Sequence, residues 1–145
     1  MKRFDLAAVM VGVLIRVSTA QSCNEAGDLQ NTTNPQAPSV PNCVKLFKQI
    51  QSIIDPAELD GLSPNRTLLG TVTMDSELYR IAHNDCTFDV RVSSGKVDID
   101  AMQVLDLFQQ SIDDHTVIFE GQAKVETSGD LVCPEGTARW WIYNL

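Results

Sequence analysis

Four cysteines, two histidines, a pair of adjacent tryptophans and a surplus of carboxylates are the residues of this sequence with chemistry to offer. The cysteines Cys23, Cys43, Cys86 and Cys133 form an even set without a Cys-x-x-Cys pair, and the only histidines are His83 and His115. Such spacing favours two disulfides over a zinc site. Three pairings are open. The pairing Cys43–Cys86 with Cys23–Cys133 is preferred, because the segment after Cys23 is too polar to dock by burial and needs a covalent tie. In the chain-entropy model a bridge closing so long a loop stabilises by about 4–5 kcal/mol, before native strain is subtracted.

Catalytic constellations are hard to find. A hydrolytic nucleophile needs a base within reach and a site for the oxyanion, and the chain has no Gly-x-Ser-x-Gly elbow. His83 falls in an expected turn and His115 just beyond an acidic helix end, so both read as surface histidines. Asp98 and Asp100 resemble the opening of a calcium loop, but neither its glycine nor its terminal glutamate follows. They read instead as a solvated strand residue and a helix cap. With 19 acidic residues, carboxylate pairs for glycosidic cleavage would occur by chance and carry no signal. The expectation is a non-enzyme that needs no cofactor and no metal. Trp140-Trp141 is more informative. Strand alternation sends Trp140 and Ile142 to one face and Trp141 and Tyr143 to the other. One tryptophan can serve the core. Trp141 and Tyr143 are then candidate partner contacts, unless a loop or the N-terminal arm covers them.

Charge and compartment narrow the function further. The 145 residues include 11 basic and 19 acidic ones, a net charge of −8, with no Lys/Arg cluster to hold a phosphate backbone. Nucleic-acid binding is therefore excluded as an expectation. Lys2 and Arg3 precede an apolar run at residues 6–15 (LAAVMVGVLI), and Ser18-Thr19-Ala20 supplies small residues before a cleavage point. This is the pattern of a signal peptide over residues 1–20, too short to span a bilayer. Its removal takes away three basic residues and one acidic one, leaving the chain more acidic still. No other segment approaches transmembrane length, so the expected product is released to the extracellular space without an anchor. Asn31-Thr32-Thr33 and Asn65-Arg66-Thr67 are sequons that fit such a product, with Asn31 and Asn65 the candidate glycosylation sites.

The elements that must position these residues follow from periodicity. Residues 21–38 read as a polar N-terminal arm pinned at Cys23, and residues 39–145 as the domain. Ser39 is a plausible N-cap. Cys43, Phe47, Ile50 and Ile54 recur at helical spacing up to the stop at Asp55-Pro56. A loop over residues 55–66 leads to strands at 67–74, 78–82 and 87–93, the last alternating as Phe88-Asp89-Val90-Arg91-Val92. Ser94-Gly95 reads as a turn toward a short strand at 96–99. A second helix starts at the Asp100 cap, buries Ala101, Val104, Leu105, Phe108 and Ile112, and stops at Asp113-Asp114. Strands at 118–126, 131–133 and 138–143 close the chain, with a Gly/Asp turn expected before the second. The fold expected is α+β, with two helices packed on one face of an antiparallel sheet of about four or five strands and two disulfides.

These motifs, taken in order, resemble the fungal "extracellular protein two" effector family, the necrosis-inducing factor domain. The similar positions are Asn42-Cys43-Val44-Lys45-Leu46, Cys86-Thr87-Phe88-Asp89-Val90, Val104-Leu105-Asp106-Leu107-Phe108 with Ile112, then Gly121, Cys133 and Trp140-Trp141-Ile142-Tyr143. The likeness covers about residues 39–144. It departs at Asn42, where an Asp is usual, at Trp141, where a glycine is usual, and at Asp100-Ala101-Met102-Gln103, which lacks the family's Gly-Asn opening. The resemblance implies a small secreted effector of a plant-associated fungus. Such a protein acts in the host apoplast in virulence, can induce host necrosis and can be recognised by host resistance. It carries over no catalytic residues.

The leading expectation is thus a monomeric, non-enzymatic effector that meets a host extracellular protein or surface component. Two others stand beside it. One is a small antimicrobial protein similar in scale to fungal killer toxins, although the acidic surface opposes attraction to anionic membranes. The other is a secreted glycan binder or hydrolase inhibitor, for which Trp141 would be the contact.

Overall fold

The strand predicted at Phe88, Val90 and Val92 is part of a much longer one, and the sheet is built around it. A computed structural model describes residues 23–145 except Pro64 and Glu77, so the signal sequence expected at residues 1–20 lies outside the described residues. In chain order the elements are β1 (Asn24–Asn31), α1 (Val40–Ser52), α2 (Pro56–Leu59), β2 (Leu68–Thr73), β3 (Tyr79–His83), β4 (Cys86–Asp100), α3 (Ala101–His115), β5 (Val117–Phe119), β6 (Gln122–Lys124), β7 (Thr127–Cys133) and β8 (Gly136–Tyr143). The class is α+β. Six strands form one antiparallel sheet in the order β1-β7-β8-β4-β2, with β3 also paired to β4, and β5 and β6 form a separate hairpin. Among the described residues no helix is long and apolar enough to cross a membrane.

The count exceeds the four or five strands and two helices expected, and each difference has a physical cause. Residues 24–31, read as part of a polar arm, are the edge strand β1, paired antiparallel to β7. Its side chains are mostly exposed, so it carries no burial pattern to read. Its order comes from the backbone ladder and from Cys23, which is bonded to Cys133 at the far end of β7. The short helix α2 lies inside the expected loop, started by Pro56 and by Asp55, whose carboxylate accepts from the Ala57 N–H at 2.8 Å.

Ser94-Gly95 is not a turn. β4 runs straight through it with a bulge between Val92 and Ser94, so that its first half pairs with β3 and β8 and its second half with β2. Gly95 has φ +65° and lies opposite Gly136. A Cβ on Gly95 would collide with the Glu135 carbonyl oxygen. The expected Gly/Asp turn is likewise absorbed into β7. Gly129 is there because Trp140 lies across it, and a Cβ would sit 2.8 Å from the indole nitrogen. The α3 helix continues past Asp113-Asp114 to His115. Its cap is as expected, with Asp100 Oδ1 accepting from the Met102 N–H at 2.9 Å, but Gln103 reaches the Cys23 carbonyl rather than closing a capping box.

α1 and α3 lie on one face of the sheet. Leu46 and Ile50 from α1 and Val104, Leu107 and Phe108 from α3 are buried with Phe88, Val90, Trp140 and Ile142 from the strands. The Phe88 ring lies 5.7 Å from Phe108 and 6.4 Å from Trp140. The second disulfide, Cys43–Cys86, bolts α1 to the start of β4 inside this core.

Candidate functional site

The opposite face of the sheet is polar, and strand register decides which residues meet on it. β8 sends Arg139, Trp141 and Tyr143 outward. Cross-strand pairing sets Asp89 beside Trp141, Arg80 beside Asp89 and Arg91 beside Arg139. Three of the four arginines in the described residues therefore gather on one face of an acidic protein. Trp140 is 1% exposed on the inner face, whereas Trp141 and Tyr143 are half-buried on the outer one, as alternation requires.

The centre of this face is a closed network. Arg80 donates to both Asp89 oxygens, from Nε at 2.7 Å and Nη2 at 2.8 Å, and Nη2 also donates to the Tyr143 hydroxyl at 2.9 Å. The Tyr143 hydroxyl in turn donates to Asp89 Oδ2 at 2.5 Å. The Asp89 side chain is only 6% exposed, so its charge depends on this fork. Burial first, and then the bond to Asp89, push the Tyr143 phenol above its ordinary value. The bond to Asp89 likewise holds the Arg80 guanidinium above its ordinary value. The phenol is therefore held protonated as a fixed donor.

Trp141 is braced from one side. The Arg139 guanidinium carbon lies 5.6 Å from the ring centroid. Arg139 is itself tethered to Asp130 at 3.2 Å, to Ser128 at 3.3 Å and to Gln30 at 2.8 Å. Gln30 belongs to β1, so the edge strand that hangs on Cys23–Cys133 helps to orient the exposed tryptophan. Beyond Trp141 a shallow groove of about 530 Å³ runs past Tyr143, Arg91 and Glu126. Glu126 is steadied by the Thr32 hydroxyl at 3.0 Å. Arg91 is exposed, and among the described residues no carboxylate lies within ion-pair distance of it. A second, more apolar concavity lies where α1 meets β2 and β3, beside Ile53 and Leu68.

The remaining sequence candidates are dispersed. Asn31 is exposed at the end of β1, its side-chain oxygen accepting from the Thr33 N–H at 3.0 Å, and Asn65 is exposed between α2 and β2. His83 ends β3 and meets Gln49 at 3.1 Å, and His115 ends α3, so the structure does not bring the two together in one site. Asp98 accepts from the Thr71 hydroxyl at 2.7 Å, and Asp100 holds Arg66 at 2.6 Å while capping α3. Arg80, Asp89, Arg91, Arg139 and Glu126 were not singled out by sequence. The alternation around Phe88 does place Asp89 and Arg91 outward, but which strand lies beside them is not written locally. No family model matches the chain, and no curated protein matches it.

Proposed function

We propose that this chain is a secreted, non-enzymatic effector of a plant-associated fungus, similar to the "extracellular protein two" family, that acts in the host extracellular space. On this reading it meets a host protein or surface component with the outer sheet face around Trp141. The observation that carries the proposal is the pair of disulfides, Cys23–Cys133 and Cys43–Cys86. They tie an edge strand and a helix to the sheet, the use expected of bridges in an oxidising compartment. The apolar run at residues 6–15 behind Lys2 and Arg3, and the ordered motifs from Asn42 to Tyr143, supply the rest of the support. The outer-face network favours binding over proton transfer, because Asp89, Arg80 and the Tyr143 hydroxyl are satisfied by one another.

The test is infiltration of oxidised protein (residues 21–145) into leaves of many host genotypes, beside deletion of the coding sequence in the producing fungus. Local necrosis or a genotype-dependent resistance response, together with reduced virulence on deletion, is expected. Silence in every genotype with undiminished virulence overturns the reading, as does growth inhibition of yeasts or bacteria as the only activity.

A further inference from the structure

We propose that the groove beside Trp141 binds a neutral oligosaccharide chain, with the Trp141 indole as the stacking platform and Arg91 and Glu126 as its hydrogen-bonding rim. The inference rests on the outer face being the contact surface and names what that surface contacts.

Four observations converge. First, Trp141 lines the groove and its ring is braced, since the Arg139 guanidinium lies over it at 5.6 Å and is itself held by Asp130, Ser128 and Gln30. A platform locked before the ligand arrives loses little freedom on binding. Second, the volume of about 530 Å³ falls in the range of about 300–1,000 Å³ typical of small-ligand sites.

Third, the groove is balanced in charge. Arg80, Arg91, Asp89 and Glu126 all line it, with Arg80 and Asp89 paired to one another. Sugar hydroxyls both donate and accept, so vicinal hydroxyls suit a rim of guanidinium donors and carboxylate acceptors placed around an aromatic face. An anionic ligand would gain Arg91 but meet Glu126 in the same groove. Fourth, the protein's net charge of −8 raises a long-range barrier to polyanions that a neutral chain does not feel. The Arg80–Asp89–Tyr143 network lines the groove and keeps Tyr143 from turning away.

The two tryptophans give the experiment an internal control. Cellohexaose, xylohexaose, chitohexaose and laminarihexaose are titrated separately into nitrogen-15-labelled oxidised protein. At least one should move the Trp141 indole N–H resonance saturably while that of buried Trp140 stays in place. A response to cellohexaose or xylohexaose assigns a plant-wall chain, and one to chitohexaose a fungal-wall chain. Calorimetry on Trp141→Ala and Arg91→Ala should then show binding weakened at least tenfold. Arg91 is exposed and its removal should spare the fold, so that variant remains informative if Trp141→Ala proves unstable.

No response to any of the four sugars overturns the inference. So does a response that Trp141→Ala and Arg91→Ala leave intact, or a preference for hexagalacturonate or a polyglutamate peptide over every neutral sugar. Necrosis without sugar binding would defeat this inference alone. Sugar binding without any host response would defeat the effector reading alone.

Discussion

Trp140 and Trp141 are adjacent in the chain and live in opposite worlds. Trp140 lies over Gly129 with its ring 6.4 Å from that of Phe88, and its indole nitrogen has no hydrogen-bond partner among the described residues. Trp141 stands on the far face among arginines and carboxylates, braced by Arg139. The inner ring is held by shape and the outer one by polar contacts that reach as far as β1. The first is therefore insensitive to the edge of the sheet, whereas the second depends on it. Burial and partial exposure are divided between two consecutive residues by the period of a strand.

The sharpest way to break that division is to truncate each ring in turn. Trp140→Ala should cost about 3–5 kcal/mol, the usual loss for a large buried aromatic. Trp141→Ala should cost about 1 kcal/mol or less, since the brace it loses is a partly exposed cation–π contact. Urea unfolding followed by far-ultraviolet circular dichroism measures both. Equal costs would show that Trp141 is a core residue and remove it as a contact. Trp140→Phe sharpens the point, because no hydrogen bond is lost and only volume changes.

Much of the inner face was legible in the sequence, and little of the outer face was. The helical spacing of Cys43, Phe47, Ile50 and Ile54 and the alternation around Phe88 identify core residues, because burial in water-excluding layers demands those periods. The preferred cysteine pairing is the one the structure has, and Cys23–Cys133 does tie the polar N-terminal segment to the sheet. The β1 segment looks like a loose arm in the sequence because an edge strand needs no apolar face when a backbone ladder and a bridge order it. Ser94-Gly95 and Gly129-Asp130 look like turns in the sequence because glycine signals turns locally. Here the glycines serve close approaches, to Glu135 and to Trp140, that exist only once distant strands meet. The Arg80–Asp89–Tyr143 network depends on register between three strands, which no single stretch of sequence encodes.

The two disulfides extend the comparison to whole elements. Replacing Cys43 and Cys86 by Ala should lower global stability by about 2–5 kcal/mol, because the bridge closes a 43-residue separation inside the core. Replacing Cys23 and Cys133 by Ala removes the longer closure, of 110 residues, but β1 can detach from the edge without the core unfolding. Amide hydrogen exchange should then show lost protection over residues 24–31 with the α1 and α3 amides little changed. Because Gln30 helps to hold Arg139, this variant should also loosen Trp141. Protection that survives in β1 would mean that the ladder alone orders it.

Asp89 tests the outer face at its centre. Asp89→Asn leaves Arg80 without its counter-charge, and since Arg80 reaches solvent the urea midpoint should fall by less than in the two disulfide variants. The same change removes an influence that pushes the Tyr143 phenol up, while Arg80, which pulls it down, remains. In the wild type the raised phenol contributes stability that is complete below the ordinary tyrosine value of about 10. That stability is lost as pH rises from there through the folded value. Alkaline difference absorbance should place the Tyr143 transition lower in Asp89→Asn and show a smaller alkaline loss of stability. An unmoved transition would mean that burial alone sets it.

The smallest effect belongs to a carboxylate that lacks what Asp89 has. Asp106 is on α3, and burial first, then the like charge of Asp100, push its carboxyl above the usual value. Among the described residues it has no ion-pair partner. A raised folded value means that the folded state takes up this proton first as pH falls, so the charged form is a cost at neutral pH that acid relieves. Asp106→Asn should therefore be slightly more stable than wild type at pH 7, by a few tenths of a kcal/mol given the residue's exposure. The gap should close as pH falls through the raised value toward the ordinary aspartate range. Paired thermal melts at pH 7 and pH 3 isolate the effect, because the other carboxylates titrate alike in both proteins and cancel in the difference. A variant no more stable at pH 7, or a gap that persists in acid, would show that Asp106 is well solvated. The contrast with Asp89 would then rest on partnership alone, with burial playing no part.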